Sequence, residues 1–366
     1  MIYLDSSATA MQKPKTVPRA VLKAMRSLAS PGRGGYRPAM EAAEAVYDCR
    51  AAAAELFAAQ PEQVVFTMNA THGLNLAIKS LARRGDTVVI SGFEHNSVVR
   101  PLHHLGANVI VAGEKLFDPE NTLAAFDRAV TEDTKAVVCT HVSNVFGYIL
   151  PVEQIADLCR RRGVPFVLDA SQSAGTLPVS LSGLGAAFIA MPGHKGLYGP
   201  SGTGLLLCGQ KPATLLEGGS GSLSKSPEMP DFLPDLAEAG TQNTAGICGL
   251  AAGLRFVQER GMDEILRHEQ ALRRELAEEL ARLDGMRIFA DDRCQTGVLS
   301  FLITGEDCEL TAQRLGENGF CVRAGLHCAP LAHKSAGTLE TGTVRVSFSA
   351  FNTEKETERL IRYLKK

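Results

Sequence analysis

Lys195 lies in the run Met-Pro-Gly-His-Lys-Gly-Leu at 191–197, directly after the apolar stretch 186–190. Such a stretch reads as a buried strand, and strand ends in an open α/β sheet face the ligand crevice. A lysine held there loses hydration, its pKa falls, and the free amine becomes a nucleophile toward an aldehyde. The flanking glycines also suit a surface turn, where lysines are common. The remaining polar groups of the chain decide between these readings.

Asp169 closes the apolar segment 165–168, and Gln172 follows it. A carboxylate there can cap a helix, or keep a ring nitrogen protonated so that the ring accepts electrons. Thr71 opens a helix after the strand 64–67, where a hydroxyl either caps the helix or joins its N–H groups in holding phosphate. His95, after the strand 87–90, is either structural or set to stack on a flat ring and relay protons. Asn144, after the strand 136–139, can bind a ring oxygen or a carboxylate. Successive strand ends thus carry chemically capable groups, and their convergence points to one site.

Cys328 lies far downstream, in Val-Arg-Ala-Gly-Leu-His-Cys-Ala-Pro at 322–330. Cys139, Cys159 and Cys208 sit in apolar or helical patterns and read as buried fillers. Cys328, among Gly, His and Pro, reads as a loop thiol, with Arg323 and His327 as the cations expected to favour its thiolate. Arg345, in a strand at 344–348, either faces solvent or grips a carboxylate bidentately.

These groups need a scaffold. Strands at 64–67, 87–90, 108–111, 136–139 and 165–168 alternate with helices at 71–81, 97–105, 122–130 and 152–162. Further strands follow at 188–189 and 204–207, the second able to run antiparallel. Continuous apolar strands alternating with helices predict a mostly parallel, seven-stranded sheet covered on both faces. Ahead of it, helices at 18–28 and 39–59 flank a glycine-rich loop at 31–35. The prolines and glycines of 216–244 predict a long irregular segment, of a kind usually functional or interfacial. Its GGSGSLSKS lacks the G-x4-G-K-[ST] frame of a P-loop. Helices at 245–260 and 263–283 lead into strands at 286–290, 298–303, 321–323 and 344–348, with helices at 310–318 and 354–364. That mixture predicts a smaller α+β layer.

With 366 residues the chain can form two domains and a substantial core. Lys+Arg 38 against Asp+Glu 40 leaves no basic excess for nucleic acid or anionic membrane. No apolar run nears the roughly 18 residues of a membrane span. The N-terminal stretch lacks signal-peptide character, so none is expected. The nine cysteines are scattered without a CxxC pair, which argues against a zinc site or disulfide scaffold and for the reducing cytoplasm.

In order along the chain, the motifs YLDSSAT (3–9), ATHG (70–73), EH (94–95), HVSN (141–144), LDASQ (168–172), GHK (193–195), AGTQN (239–243), RAGLHC (323–328) and RVS (345–347) resemble the cysteine desulfurases. These are class V aminotransferases of fold type I that use pyridoxal 5′-phosphate (PLP). The resemblance implies a large PLP-binding domain over 15–257 and a small domain over 258–366 that includes 1–14. Lys195 would carry the cofactor, Asp169 would pair with its pyridine nitrogen, Gln172 with its ring hydroxyl, and His95 would stack on the ring and serve catalysis. Ala70, Thr71 and His194 would surround the phosphate. Thr241 matches a threonine that reaches the phosphate from the other subunit, which implies a homodimer with shared sites. Asn144 would touch cofactor and substrate, and Arg323 and Arg345 would bind the substrate, L-cysteine or L-selenocysteine. Cys328 would take the sulfur as a persulfide, leave L-alanine, and pass the sulfur to a protein acceptor. The short loop around Cys328 is closer to the second group of desulfurases, which includes the selenocysteine lyases. A selenocysteine lyase, or a class V aminotransferase in which Cys328 is incidental, are the alternatives. Pro192 stands where many members have Ser or Thr, and Ala70 replaces a common hydroxyl residue, so a looser hold on the phosphate is expected.

Overall fold

The apolar runs between 64 and 208 form one sheet in the computed structural model, which describes residues 1–32 and 34–365. Arg33 of the glycine-rich loop and Lys366 lie outside the described residues. The elements of this part are β1 (Ile2–Tyr3), α1 (Thr16–Ser27), α2 (Arg37–Leu56), β2 (Val64–Thr67), α3 (Ala70–Leu81), β3 (Thr87–Ser91), α4 (Asn96–Leu105), β4 (Asn108–Ala112), α5 (Pro119–Ala129), β5 (Thr134–Thr140), α6 (Val152–Arg162), β6 (Phe166–Asp169), α7 (Leu181–Leu184), β7 (Phe188–Pro192) and β8 (Gly204–Cys208). The sheet order is β2-β8-β7-β6-β5-β3-β4. Only β8 runs against the other strands, pairing antiparallel with both β7 and β2. The expected seven-stranded, mostly parallel sheet is therefore present.

The inner strands are largely apolar because both faces are covered, whereas edge strand β4 is exposed from Asn108 to Ile110. Val137, Cys139, Leu168 and Ile189 join one cluster with Phe57 beyond α2 and Ile155 of α6. Their neighbours Val138, Val167, Phe188 and Ala190 join a second with Leu74 and Ile78 of α3. Period-two alternation between two apolar layers is what burial of both faces requires. Burying each such side chain contributes roughly 1.5–3 kcal/mol. Helix α6 stops at Gly163, whose φ of 66° suits a residue without a Cβ.

The remaining elements are α8 (Thr244–Arg260), α9 (Met262–Leu280), β9 (Met286–Phe289), β10 (Val298–Ile303), α10 (Cys308–Glu317), β11 (Phe320–Cys321), β12 (Arg323–Gly325), α11 (Pro330–Ala336), β13 (Thr343–Ser347) and α12 (Glu354–Leu364). Strands β12-β13-β10-β9 make an antiparallel sheet, and β1 pairs in parallel with β11. The single strand expected at 321–323 is thus two strands in different sheets. The N-terminal segment captures Phe320–Cys321, and β13 captures Arg323–Gly325. Helices α7 and α11 escape the periodic reading because they are too short to display it.

The irregular segment after β8 is tied to the sheet edge by a buried ion pair. Arg50 donates from Nη1 and Nη2 to the two carboxylate oxygens of Glu238, at 2.8 and 2.9 Å. Phe66 N–H donates to the same carboxylate at 2.7 Å, and Arg50 lies over the Phe66 ring.

Candidate active site

The C-terminal ends of β2, β3, β5, β6 and β7 open onto one cavity of about 300 Å³. Its walls include Ala70, Thr71, His95, Asn144, Asp169, Gln172, His194, Lys195, Arg323, Cys328 and Arg345. All the expected site residues but one therefore meet in a single place. Thr241 is the exception. It is exposed on the irregular segment and borders two other surface clefts.

Lys195 sits in a tight loop after β7. Lys195 O accepts from Tyr198 N at 2.9 Å, and Gly199 N donates to Gly193 O at 2.7 Å. Burial pushes the Lys195 amine down to about 8, while the Asp169 carboxylate pulls in the opposite direction. Asp169 ends β6, and its Oδ1 accepts from Ser171 N at 2.9 Å.

Helix α3 is capped by Asn69, whose Oδ1 accepts from His72 N at 2.9 Å. That removes the cap alternative for Thr71 and leaves its hydroxyl to share a 2.7 Å hydrogen bond with Ser97. His95 caps α4 with Nδ1, which accepts from Ser97 N at 3.0 Å, so the neutral ring carries its proton on Nε2. Burial lowers the His95 pKa. His194 Nδ1 meets Thr9 Oγ1 at 3.1 Å, and burial followed by the Lys195 charge pushes its pKa down to about 4. Gln172 donates from Nε2 to Ser7 O at 3.0 Å, which fixes its amide against the N-terminal segment.

Beneath this wall lies Glu94, fully buried. Its Oε1 accepts from Thr140 N at 2.7 Å and from the Ser91 hydroxyl, and its Oε2 has no partner among the described residues. Burial raises its pKa to about 8, so it is protonated at neutral pH.

The opposite wall comes from the small sheet. Arg345 is only 2% exposed, which settles the two readings of this residue against solvent. It donates from Nη1 to Asn144 O at 2.8 Å and from Nη2 to Asp5 at 2.6 Å. Arg323 reaches the other oxygen of Asp5 at 3.2 Å. Cys328 is exposed, unlike the other cysteines. His327 and Cys328 both have left-handed backbone, with φ of 51° and 57°. Two bonds hold that turn: Asn144 Nδ2 donates to His327 O and Asn96 N to Cys328 O, each at 2.8 Å.

One expectation is corrected. His327 is no cation for the thiol, because burial, followed by the Arg345 charge, pushes its pKa down to about 2. Its ring stacks on His333 and its nitrogens face His333 and Arg323 O. Arg323 lines the same cavity as Cys328.

Three site residues carried no role in the sequence reading: Asp5, Asn69 and Ser97. Ser97, just beyond His95 at a helix start, had a local signal. Asp5 stood only in the 3–9 motif, with nothing local to reveal its partners, which lie more than 300 residues away in the chain.

The donor set suits a flat pyridine ring bearing a phosphate. Thr71, Ser97 and His194 stand with the first turn of α3, where N–H groups attract an anion. Asp169 offers a buried carboxylate to a ring N–H, and Lys195 offers a desolvated amine to an aldehyde.

The aminotransferase class-V family model matches residues 2–360. Proteins named probable cysteine desulfurase are similar over nearly the whole chain. The one from Methanothermobacter thermautotrophicus is 34% identical, covering 98% of this chain and 92% of its own. That of Xylella fastidiosa (strain Temecula1) is 35% identical, covering 100% and 90%. Among solved structures, the cysteine desulfurase of Thermococcus onnurineus NA1 superposes with a TM-score of 0.91 at 31% identity, covering 99% of this chain and 93% of its own. The Escherichia coli cysteine desulfurase CsdA gives 0.86 at 26% identity, with the same coverage.

Proposed function

The chain belongs to the aminotransferase class-V family, and on that premise we propose that it is a PLP-dependent cysteine desulfurase, taking L-cysteine to L-alanine with the sulfur carried on Cys328. The observation that carries this reading is the meeting of an exposed cysteine with Lys195 and Asp169 in one cavity.

PLP would be held by Lys195, Asp169, Gln172, His95, Thr71 and His194, and when bound supplies an electron sink for charge developing at the substrate Cα. Arg345 and Arg323 take the substrate carboxylate, with Asn144 beside them. Charged hydrogen bonds of this kind contribute roughly 1.5–3 kcal/mol. Lys195, poised near neutrality by burial, takes and returns a proton at Cα. Cys328 attacks the substrate sulfur as a thiolate. The new S–S bond forms as the Cβ–S bond breaks, the electron pair stays with carbon, and protonation gives alanine. Cys328 is left as a persulfide, and its position at the cavity mouth suits transfer to a protein acceptor.

We extend the proposal to a homodimer in which Thr241 of the partner subunit completes the phosphate site. Exposed Tyr47, Met68 and Leu216, which border the same clefts as Thr241, support an interface there. The division into a large domain over 15–257 and a small one over 258–366 with 1–14 belongs to the same reading. So does residence in the reducing cytoplasm, where Cys328 stays a thiol. No helix among the described residues is long and apolar enough to cross a membrane.

The test is a paired assay on PLP-loaded protein with L-cysteine and a reductant. Equal amounts of sulfide and alanine are expected from the parent. Cys328→Ser should lose both while the cofactor absorption band persists. A PLP-loaded parent that yields no sulfide refutes the reading.

A further inference from the structure

Arg323 and Arg345 are direct cross-strand partners of the antiparallel pair β12–β13. Like charges directly opposed on a sheet repel. Asp5 stands between them, with Oδ1 at 2.6 Å from Arg345 Nη2 and Oδ2 at 3.2 Å from Arg323 Nε. Its backbone is fastened there. Asp5 bridges Ser347, Ser347 N donates to Leu4 O at 2.8 Å, and Ser7 N donates to Ser347 Oγ at 2.9 Å. The carboxylate is thus fixed against the two arginines that line the cavity, rather than carried on a mobile arm.

We propose that Asp5 is a specificity-determining residue that cancels one of the two arginine charges, so that the cavity accepts an amino acid with one carboxylate and rejects one with two. The proposal rests on the desulfurase reading only in taking the arginines as the carboxylate site.

Charge bookkeeping carries it. With Asp5 in place the two arginines present one net positive charge, which one substrate carboxylate neutralises. Half-exposed Arg323 lines the cavity and meets Asp5 through Nε, so its terminal nitrogens remain for that carboxylate. Among the described residues that line the cavity, a second carboxylate would find no uncompensated cation. Lys195 faces Asp169, and burial keeps His194 and His327 neutral near pH 7. A desolvated carboxylate without a partner is strongly disfavoured. L-Alanine and L-aspartate isolate the effect, since aspartate is alanine with a carboxylate added at Cβ.

The experiment measures dissociation constants of L-alanine and L-aspartate for the PLP-loaded protein, by calorimetry and by the change in the cofactor absorption band. The parent should bind alanine at least tenfold more tightly than aspartate. Asp5→Asn should reduce that ratio at least tenfold, chiefly by tightening aspartate. Arg323→Gln, at a half-exposed position with less risk to folding, should move the ratio the other way by weakening aspartate more than alanine. A parent that binds aspartate as tightly as alanine overturns the proposal. So does a ratio unchanged within twofold in folded Asp5→Asn; if that variant does not fold, an unchanged ratio in Arg323→Gln does the same. Failure of the functional reading shows separately, as absence of sulfide from L-cysteine, because neither probe carries sulfur.

Discussion

Gly175→Ala should cripple the enzyme without touching any group that contacts substrate. Gly175 has φ of +94°, and a Cβ built on it would lie 2.1 Å from Gly196 O. A Cβ on Gly196 would in turn lie 2.4 Å from Ala174 O. These two backbone stretches touch because both lack side chains, and Gly196 directly follows Lys195. Ordinary C···O contacts sit at roughly 3.3–3.6 Å, so the methyl group forces the two loop segments apart by about 1 Å. The left-handed backbone costs roughly 1–2 kcal/mol and over-packing about 1–3 kcal/mol, a loss of about 2–5 kcal/mol in urea unfolding. A displacement of about 1 Å at the reacting amine can cost on the order of a hundredfold in rate. The control is Gly163→Ala. Its φ is +66° but nothing lies within 4 Å of the added Cβ, so only the backbone cost of roughly 1–2 kcal/mol applies and kcat should not change. The assay is alanine formation at saturating L-cysteine together with urea unfolding of both variants. Folded Gly175→Ala with kcat within twofold of the parent, or equal stability losses in the two variants, would refute the contact argument.

Two further outcomes are expected. Burial raises both Glu94 and Glu269 from 4.5 to about 8. Between those values the folded chain keeps protons that the unfolded chain releases, so these groups stabilise most below pH 4.5 and lose that contribution as pH rises toward 8. Each contributes a slope of up to about 1.4 kcal/mol per pH unit. Buried histidines act in the opposite sense, so the readout is the difference in urea midpoint between parent and Glu94→Gln or Glu269→Gln from pH 5 to 8; parallel curves would count against the burial argument. Glu238→Ala should leave Arg50 buried without its partner, at a cost of about 3–5 kcal/mol, and Arg50→Met in the same background should recover part of that loss. Because Glu238 leads into Thr241, the single variant should also release PLP faster, measurable by dialysis and absorbance.

The large sheet was legible because parallel strands covered on both faces must be continuously apolar, and the cores of the inner strands obey that rule, with only edge strand β4 exposed. The site groups Thr71, His95, Asn144, Asp169 and Lys195 were legible for a related reason. Each follows a strand end, and parallel strands deliver such ends to one edge. The small sheet was read less well. Its short strands show too little periodicity, and Phe320–Cys321 takes its partner from the opposite end of the chain.

Local sequence by itself determined which residues could do chemistry and that most of them would converge, since residue type and strand order are properties of the chain. Tertiary structure alone decided their electrical state and their pairing. Burial, invisible in the sequence, holds His327 neutral, Glu94 protonated and the Lys195 amine near neutrality. Asp5 meets Arg345 across nearly the whole chain length because β-bridging at Ser347 brings the N-terminal segment beside β13. A contact of that separation leaves no spacing in the sequence, since only the folded backbone makes the two residues neighbours.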